Sequence, residues 1–97
     1  MTFKIQKQDE IIEHYGKASQ LGIATEECAE LIQAISKMTR AKDTKEYEEA
    51  KSHLIEEIGD VIVCIDQLKT IFNISDAKIS EVANFKIHRQ MERMKGN

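Results

Sequence analysis

His53-Leu54-Ile55-Glu56-Glu57-Ile58-Gly59-Asp60-Val61-Ile62-Val63-Cys64-Ile65-Asp66-Gln67-Leu68 is the stretch from which the fold follows. Its apolar side chains at Leu54, Ile58, Val61, Ile65 and Leu68, continued by Phe72, advance in steps of three and four, the period of one helix face. Upstream, Asp43 and Glu46 stand three apart as in a capping box, so the helix starts there. It then runs for ~29 residues, a rod of about 43 Å at 1.5 Å per residue. Five apolar residues in succession, Val61 to Ile65, sweep more than a full turn and leave little polar face at mid-helix. Such a helix must be covered all round. The other helices are too short for that, which predicts a second copy packed against it, in a homodimer or a dimer of dimers.

Working outward, Leu21, Ala24, Cys28, Leu31, Ile35 and Met38 define an apolar seam on a helix from about Lys17 to Thr39. Arg40 to Lys45 is a polar connection. Before it, Ile11, Ile12 and Tyr15 fit a short helix that Gly16 can end, and the first eight residues show no periodicity. On the other side, Asn73 can stop the long helix and Ser75 can cap a fourth, whose stripe is Ile79, Val82, Ala83, Ile87, Met91 and Met94. Proline is absent, glycine occurs four times and only five residues are aromatic, which argues against turn-rich β folds. The expected fold is all-α and four-helix bundle-like, with one short and three longer helices. Ninety-seven residues, 41% of them apolar, suit one domain spanning 1–97 with one modest core.

Seventeen acids against fourteen bases give a net charge of −3, which speaks against general attraction to a nucleic-acid polymer or an anionic membrane. The run Val61–Ile65 is the longest apolar one and far too short to cross a bilayer; the amino terminus lacks the apolar stretch of a signal peptide. A cytoplasmic protein is the expectation. Cys28 and Cys64 both fall inside apolar helical patterns, where a reduced cysteine acts as a small hydrophobe.

The two long helices repeat one pattern at an offset of thirty residues, Glu26-Glu27-Cys28-Ala29-Glu30-Leu31-Ile32 and Glu56-Glu57-Ile58-Gly59-Asp60-Val61-Ile62. Glu27 and Glu30, like Glu57 and Asp60, are three apart and project from one face about one turn apart. Each pair directly precedes seam residues, so packing the seams together places all four acids along one flank. Carboxylates gathered beside an apolar seam repel one another and hold raised pKa values unless a cation compensates them. An all-oxygen donor set without ligand-spaced histidine or thiolate favours Mg²⁺, or Mn²⁺, over zinc. Glu27 and Glu57, each next to another acid, are candidates for activating a water. Glu26 and Glu56 are read as exposed charges, and His14, His53 and His88 as surface residues.

With its E-x-x-E, helical spacer and E-x-x-D, met by Glu27, Glu30, Glu57 and Asp60, the chain resembles the all-α nucleoside triphosphate pyrophosphohydrolase superfamily, its MazG-like group in particular. The resemblance runs from about Gly16 to Arg93. It includes Asn84-Phe85-Lys86-Ile87-His88-Arg89, similar to the N-x-K-x-x-R block that contacts substrate on the family's last helix. It implies Mg²⁺-dependent hydrolysis of a nucleoside or deoxynucleoside triphosphate to the monophosphate and pyrophosphate. The four acids would hold the metal, Asn84, Lys86, Arg89 and Arg93 would bind substrate, and Lys86 with Arg89 would stabilise the leaving pyrophosphate.

Charge distribution agrees with that implication. Residues 75–97 hold five bases against three acids, while residues 1–74 hold nine against fourteen. Lys86, Arg89 and Arg93 recur at spacings of three and four and share one side of their helix. The alternative is a non-enzymatic helical interaction or regulatory module, whose acids are solvated or bind a structural ion and whose basic tail only suits a helix carboxyl end.

Overall fold

A computed structural model describes residues 7–96, which form α1 (Gln8–Tyr15), α2 (Lys17–Arg40), α3 (Thr44–Phe72) and α4 (Asp76–Met94). The expected all-α class, with one short and three longer helices, is what the chain adopts. Residues 1–6, six of the eight expected to form an aperiodic start, lie outside the described residues, and Gln8 already belongs to α1. No helix among the described residues is long and apolar enough to cross a membrane.

Boundaries fall at the residues whose chemistry marks them. Gly16, at φ +88°, separates α1 from α2 in a region that L side chains rarely adopt, and its N–H donates to Ile12 O at 2.7 Å. Asp43 caps α3 by accepting from Glu46 N–H at 2.8 Å. Glu46 reciprocates one residue further out than in the usual capping box, its Oε2 accepting from Lys42 N–H at 2.8 Å. Asn73, in the left-handed region at φ +54°, ends α3. Ser75 Oγ then accepts from Lys78 N–H at 3.1 Å and opens α4.

A three-residue connection, 41–43, folds α2 and α3 back on each other as an antiparallel helical hairpin, the principal packing of the chain. The line buried between them coincides only in part with the expected seam, of which Ala24 is buried, Leu21, Leu31, Met38, Leu54, Val61 and Leu68 are half-buried, and Cys28, Ile35, Ile58, Ile65 and Phe72 are exposed. On α2 it contains Gln20, Ala24 and Ala34; on α3 it contains Ala50, Glu57, Cys64 and Gln67. Glu57 is 5% exposed and Cys64 4%, whereas their seam-assigned neighbours Ile58 and Ile65 are 43% and 44% exposed. The expected period of three and four is right, and at Cys28, Ile35, Ile58 and Ile65 the preceding residue turns inward instead. The inner line is built of alanines, Cys64, two glutamines and Glu57, while the larger β-branched side chains Ile35, Ile58 and Ile65 face outward. Periodicity ranks positions by hydrophobicity and so includes these outward isoleucines. The two cysteines also part company: both are free, Cys64 is buried, and Cys28 is exposed instead of packed.

Helix α1 lies against both members of the hairpin. Ile12 is buried there, and the buried Gln8 donates from Nε2 to Val63 O at 3.3 Å. Helix α4 packs against none of the other three along its length and buries none of its residues. Its first turn is tied to the end of α3 by an ion pair between Lys69 and Asp76, with Asp66 also 3.5 Å from the Lys69 ammonium.

Candidate active site

Because the residues preceding Cys28 and Ile58 turn toward the helix–helix contact, Glu27 and Glu57 sit within it and not on its flank. Carboxylate oxygens of Glu27, Glu57 and Asp60 lie within 4.8 Å of one another. Glu57 is buried, Glu27 half-buried and Asp60 exposed, so the group opens outward from the hairpin at Asp60. Glu30, the fourth expected acid, is exposed and stands outside this tight group, yet it is near enough for its charge to act on Glu27.

That environment sets the protonation of Glu27. Burial pushes its carboxyl from an ordinary 4.5 up to about 7; the charges of Glu30 and Asp60 add to this, as do a shared hydrogen bond with Glu57 and its charge. Burial also raises the Cys64 thiol, with further contributions from Glu27, Cys28 and Asp60, leaving it a packing group and not a nucleophile. Glu27 Oε2 and Glu57 Oε2 are buried and receive no hydrogen bond. Buried oxygens of that kind are rare unless something polar or cationic is to fill the gap. An all-carboxylate group with two such oxygens and mutual repulsion fits a hard divalent cation.

His53, expected at the surface, belongs to the site. Its Nε2 lies 3.5 Å from Glu57 Oε1, one turn away on α3, and its Nδ1 is buried without a partner. The signal was present in the i,i+4 spacing of His53 and Glu57. Glu26 and Glu56 are exposed, as expected, and so are His14 and His88.

The fourth block is placed differently from the acids. Asn84, Lys86, Arg89 and Arg93 are all exposed on α4, and α4 does not pack on the α2–α3 hairpin that carries the carboxylates. The Arg89 guanidinium lies 5.9 Å from the centre of the Phe85 ring, a cation–π arrangement on the helix surface.

No curated protein and no solved structure matched this chain. Residues 16–95, which span α2, α3 and α4 and contain every acid of the cluster, match the family model described as the MazG nucleotide pyrophosphohydrolase domain. The chain therefore belongs to the family of MazG nucleotide pyrophosphohydrolase domains.

Proposed function

We propose that the chain hydrolyses a nucleoside or deoxynucleoside triphosphate to the monophosphate and pyrophosphate, using Mg²⁺ held by Glu27, Glu57 and Asp60 with Glu30 beside them. One observation carries this reading: three carboxylates from two helices converge within 4.8 Å, two of them with buried oxygens that accept no hydrogen bond. A Mg²⁺ ion bound there supplies neutralisation of phosphate charge and a water of lowered pKa. The remaining work falls to the chain. Glu57, buried and oriented by His53, fixes the inner face of the site. Glu27 or Glu57, through an oxygen that the ion leaves free, accepts the proton of the attacking water. Asn84, Lys86, Arg89 and Arg93 on α4 offer an amide and three cations for phosphate oxygens.

A second copy of the chain is part of the proposal. The described residues have a radius of gyration of 16.7 Å, against about 12 Å for a compact chain of that length. Ile58, Ile65, Phe72, Phe85 and Ile87 are exposed, an apolar extent that a soluble monomer rarely shows. Assembly in a homodimer or dimer of dimers covers these faces and gives α4 a hairpin to pack on, which brings its basic side to an acid cluster.

Incubating the protein with each common nucleoside and deoxynucleoside triphosphate in Mg²⁺, and assaying released pyrophosphate, tests the activity. Release that depends on Mg²⁺ and disappears in Asp60→Asn supports it. Absence of release from every substrate favours the non-enzymatic module.

A further inference from the structure

We infer that the open cavity between the last turn of α2 and the first turns of α3 is a second anion site, which takes a phosphorylated small molecule and is separate from the acid cluster. The assignment does not rest on the hydrolase reading above. The cavity has a volume of about 400 Å³, within the span of roughly 300–1,000 Å³ typical of small-molecule sites, so it admits a molecule and not only a lone ion. Lys37, Arg40 and Lys42 line it together with Glu46, Glu49 and His53.

The charges on its wall are unequal in what they are free to do. Glu46 is engaged with the Lys42 backbone N–H at 2.8 Å, and Glu49 faces Lys45 at 4.0 Å. Among the described residues, the Lys37, Arg40 and Lys42 side chains have no carboxylate or hydrogen-bond partner. Three uncommitted cations thus surround one recess in a chain whose net charge is −3. Lys37 and Arg40 suit the carboxyl end of α2, but Lys42 lies beyond it, and complementing a helix dipole does not require a recess. A carboxylate presents its two oxygens in one plane and satisfies one or two of these cations. A phosphate chain presents oxygens in several directions, so the Arg40 fork can grip two of them while the lysine ammoniums take others.

Position keeps this molecule apart from the one at the acids. Along the axis of α2, at 1.5 Å per residue, Lys37 and Arg40 stand about 15 and 20 Å from Glu27. A phosphate chain held at the carboxylates does not span that distance, so the recess takes a ligand of its own. Lys86, Arg89 and Arg93, which the proposed function gives to the substrate, are not part of its lining. On the side of the acids the recess is bounded by His53, whose Nε2 lies 3.5 Å from Glu57 Oε1. The two sites therefore meet at a protein side chain, and the molecule in the recess leaves the carboxylates to the metal and substrate.

Calorimetric titration of the full-length chain with inorganic tripolyphosphate in chelator tests this directly, comparing wild type with Lys37→Ala/Arg40→Ala and with Lys86→Ala/Arg89→Ala. Lys37 and Arg40 are exposed, so their double variant is expected to keep the wild-type melting curve. It should bind tripolyphosphate at least about tenfold more weakly, the scale of losing charge-assisted hydrogen bonds from two side chains, while the α4 double variant binds like wild type. Equal affinity in wild type and Lys37→Ala/Arg40→Ala, or no binding to wild type, overturns the assignment. An oligoglutamate of matched charge should bind more weakly than tripolyphosphate; tighter binding makes the recess a surface for an acidic protein segment and overturns the phosphate class. Hydrolysis of the triphosphate that the pyrophosphate assay identifies checks the separation of the sites. Lys37→Ala/Arg40→Ala should keep the wild-type kcat and KM, and a raised KM makes the recess part of the substrate site and overturns its independence. Tripolyphosphate binding that depends on Lys37 and Arg40 in a protein without hydrolase activity upholds the anion site and defeats the catalytic reading alone.

Discussion

Glu27 sits where two helices meet, and its carboxyl there either holds a proton or shares a cation. In the unfolded chain it ionises near 4.5, whereas in the folded chain without metal it keeps its proton until about 7. Between those values the folded state binds more protons, so this group makes the metal-free protein less stable as pH rises through the window. Relative to Glu27→Gln, the wild-type melting temperature in chelator should therefore fall from about pH 4.5 to 7 and level off above. A difference between the two proteins that stays constant with pH contradicts the assignment. Mg²⁺ competes with that proton, so its affinity should strengthen over the same interval. Asp60→Asn should lower turnover by at least about 100-fold, the scale of losing a group that organises transition-state charge. A cation at a hundred times its dissociation constant stabilises the native state by about 2.7 kcal/mol, and Asp60→Asn should lose most of that melting shift. Glu48→Gln, exposed and outside the cluster, should retain it. Equal Mg²⁺ shifts in wild type and Asp60→Asn place the ion elsewhere.

At the scale of elements, the α2–α3 hairpin depends on small residues at its inner line. Ala34 is completely buried, so a larger side chain there has to displace its neighbours. Ala34→Leu should cost about 1–3 kcal/mol by overpacking, which chemical denaturation reads as a lower midpoint at constant slope. Asp43→Ala removes the cap on Glu46 N–H and should cost about 1 kcal/mol. In a domain this small each kilocalorie lowers the melting temperature by roughly 4–8 °C. An Ala34→Leu protein as stable as wild type means that the helices stand further apart than described. The helix ends were legible because each is signalled by one residue with a local job: Gly16, Asp43, Asn73 or Ser75. The phase of the seam was legible only in part, because Leu54, Val61 and Leu68 lie on the half-buried side of α3 while Ile58, Ile65 and Phe72, no less hydrophobic, face outward.

For the whole molecule the extended shape and the bare apolar faces are one fact. Helix α4 buries none of its residues within the chain, although Ile79, Val82, Phe85, Ile87 and Met91 give it the composition of a packed helix. Light scattering at micromolar concentration should return a multiple of the protomer mass. Ile65→Lys, which sets a charge in the outer stripe of α3, should shift the species toward the monomer or unfold it, since a buried unpaired charge is heavily penalised. A monomeric wild type leaves those faces without cover and removes this route for α4 to reach the acids. Within one protomer, Lys69 between Asp66 and Asp76 holds only the first turn of α4.

Local chemistry determined a good deal by itself. The 3.6-residue period, the caps and the absence of proline specify four helices and their limits, because each depends on residues within one or two turns. The thirty-residue repeat likewise pairs Glu27 with Glu57 and Asp60, since a hairpin with a short connection sets equal distances from its turn side by side. What the tertiary structure alone decided is which face of each helix turns inward. That choice rests on how closely two backbones approach, and small side chains such as Ala24, Ala34 and Ala50 permit an approach that isoleucines block. From it follow the burial of Glu57, the raised pKa of Glu27, the recruitment of His53 and the outward exposure of Ile58 and Ile65. The recess between Lys37, Arg40 and Lys42 is of the same kind, because three cations scattered over six residues acquire a common wall only when α3 folds back beneath them.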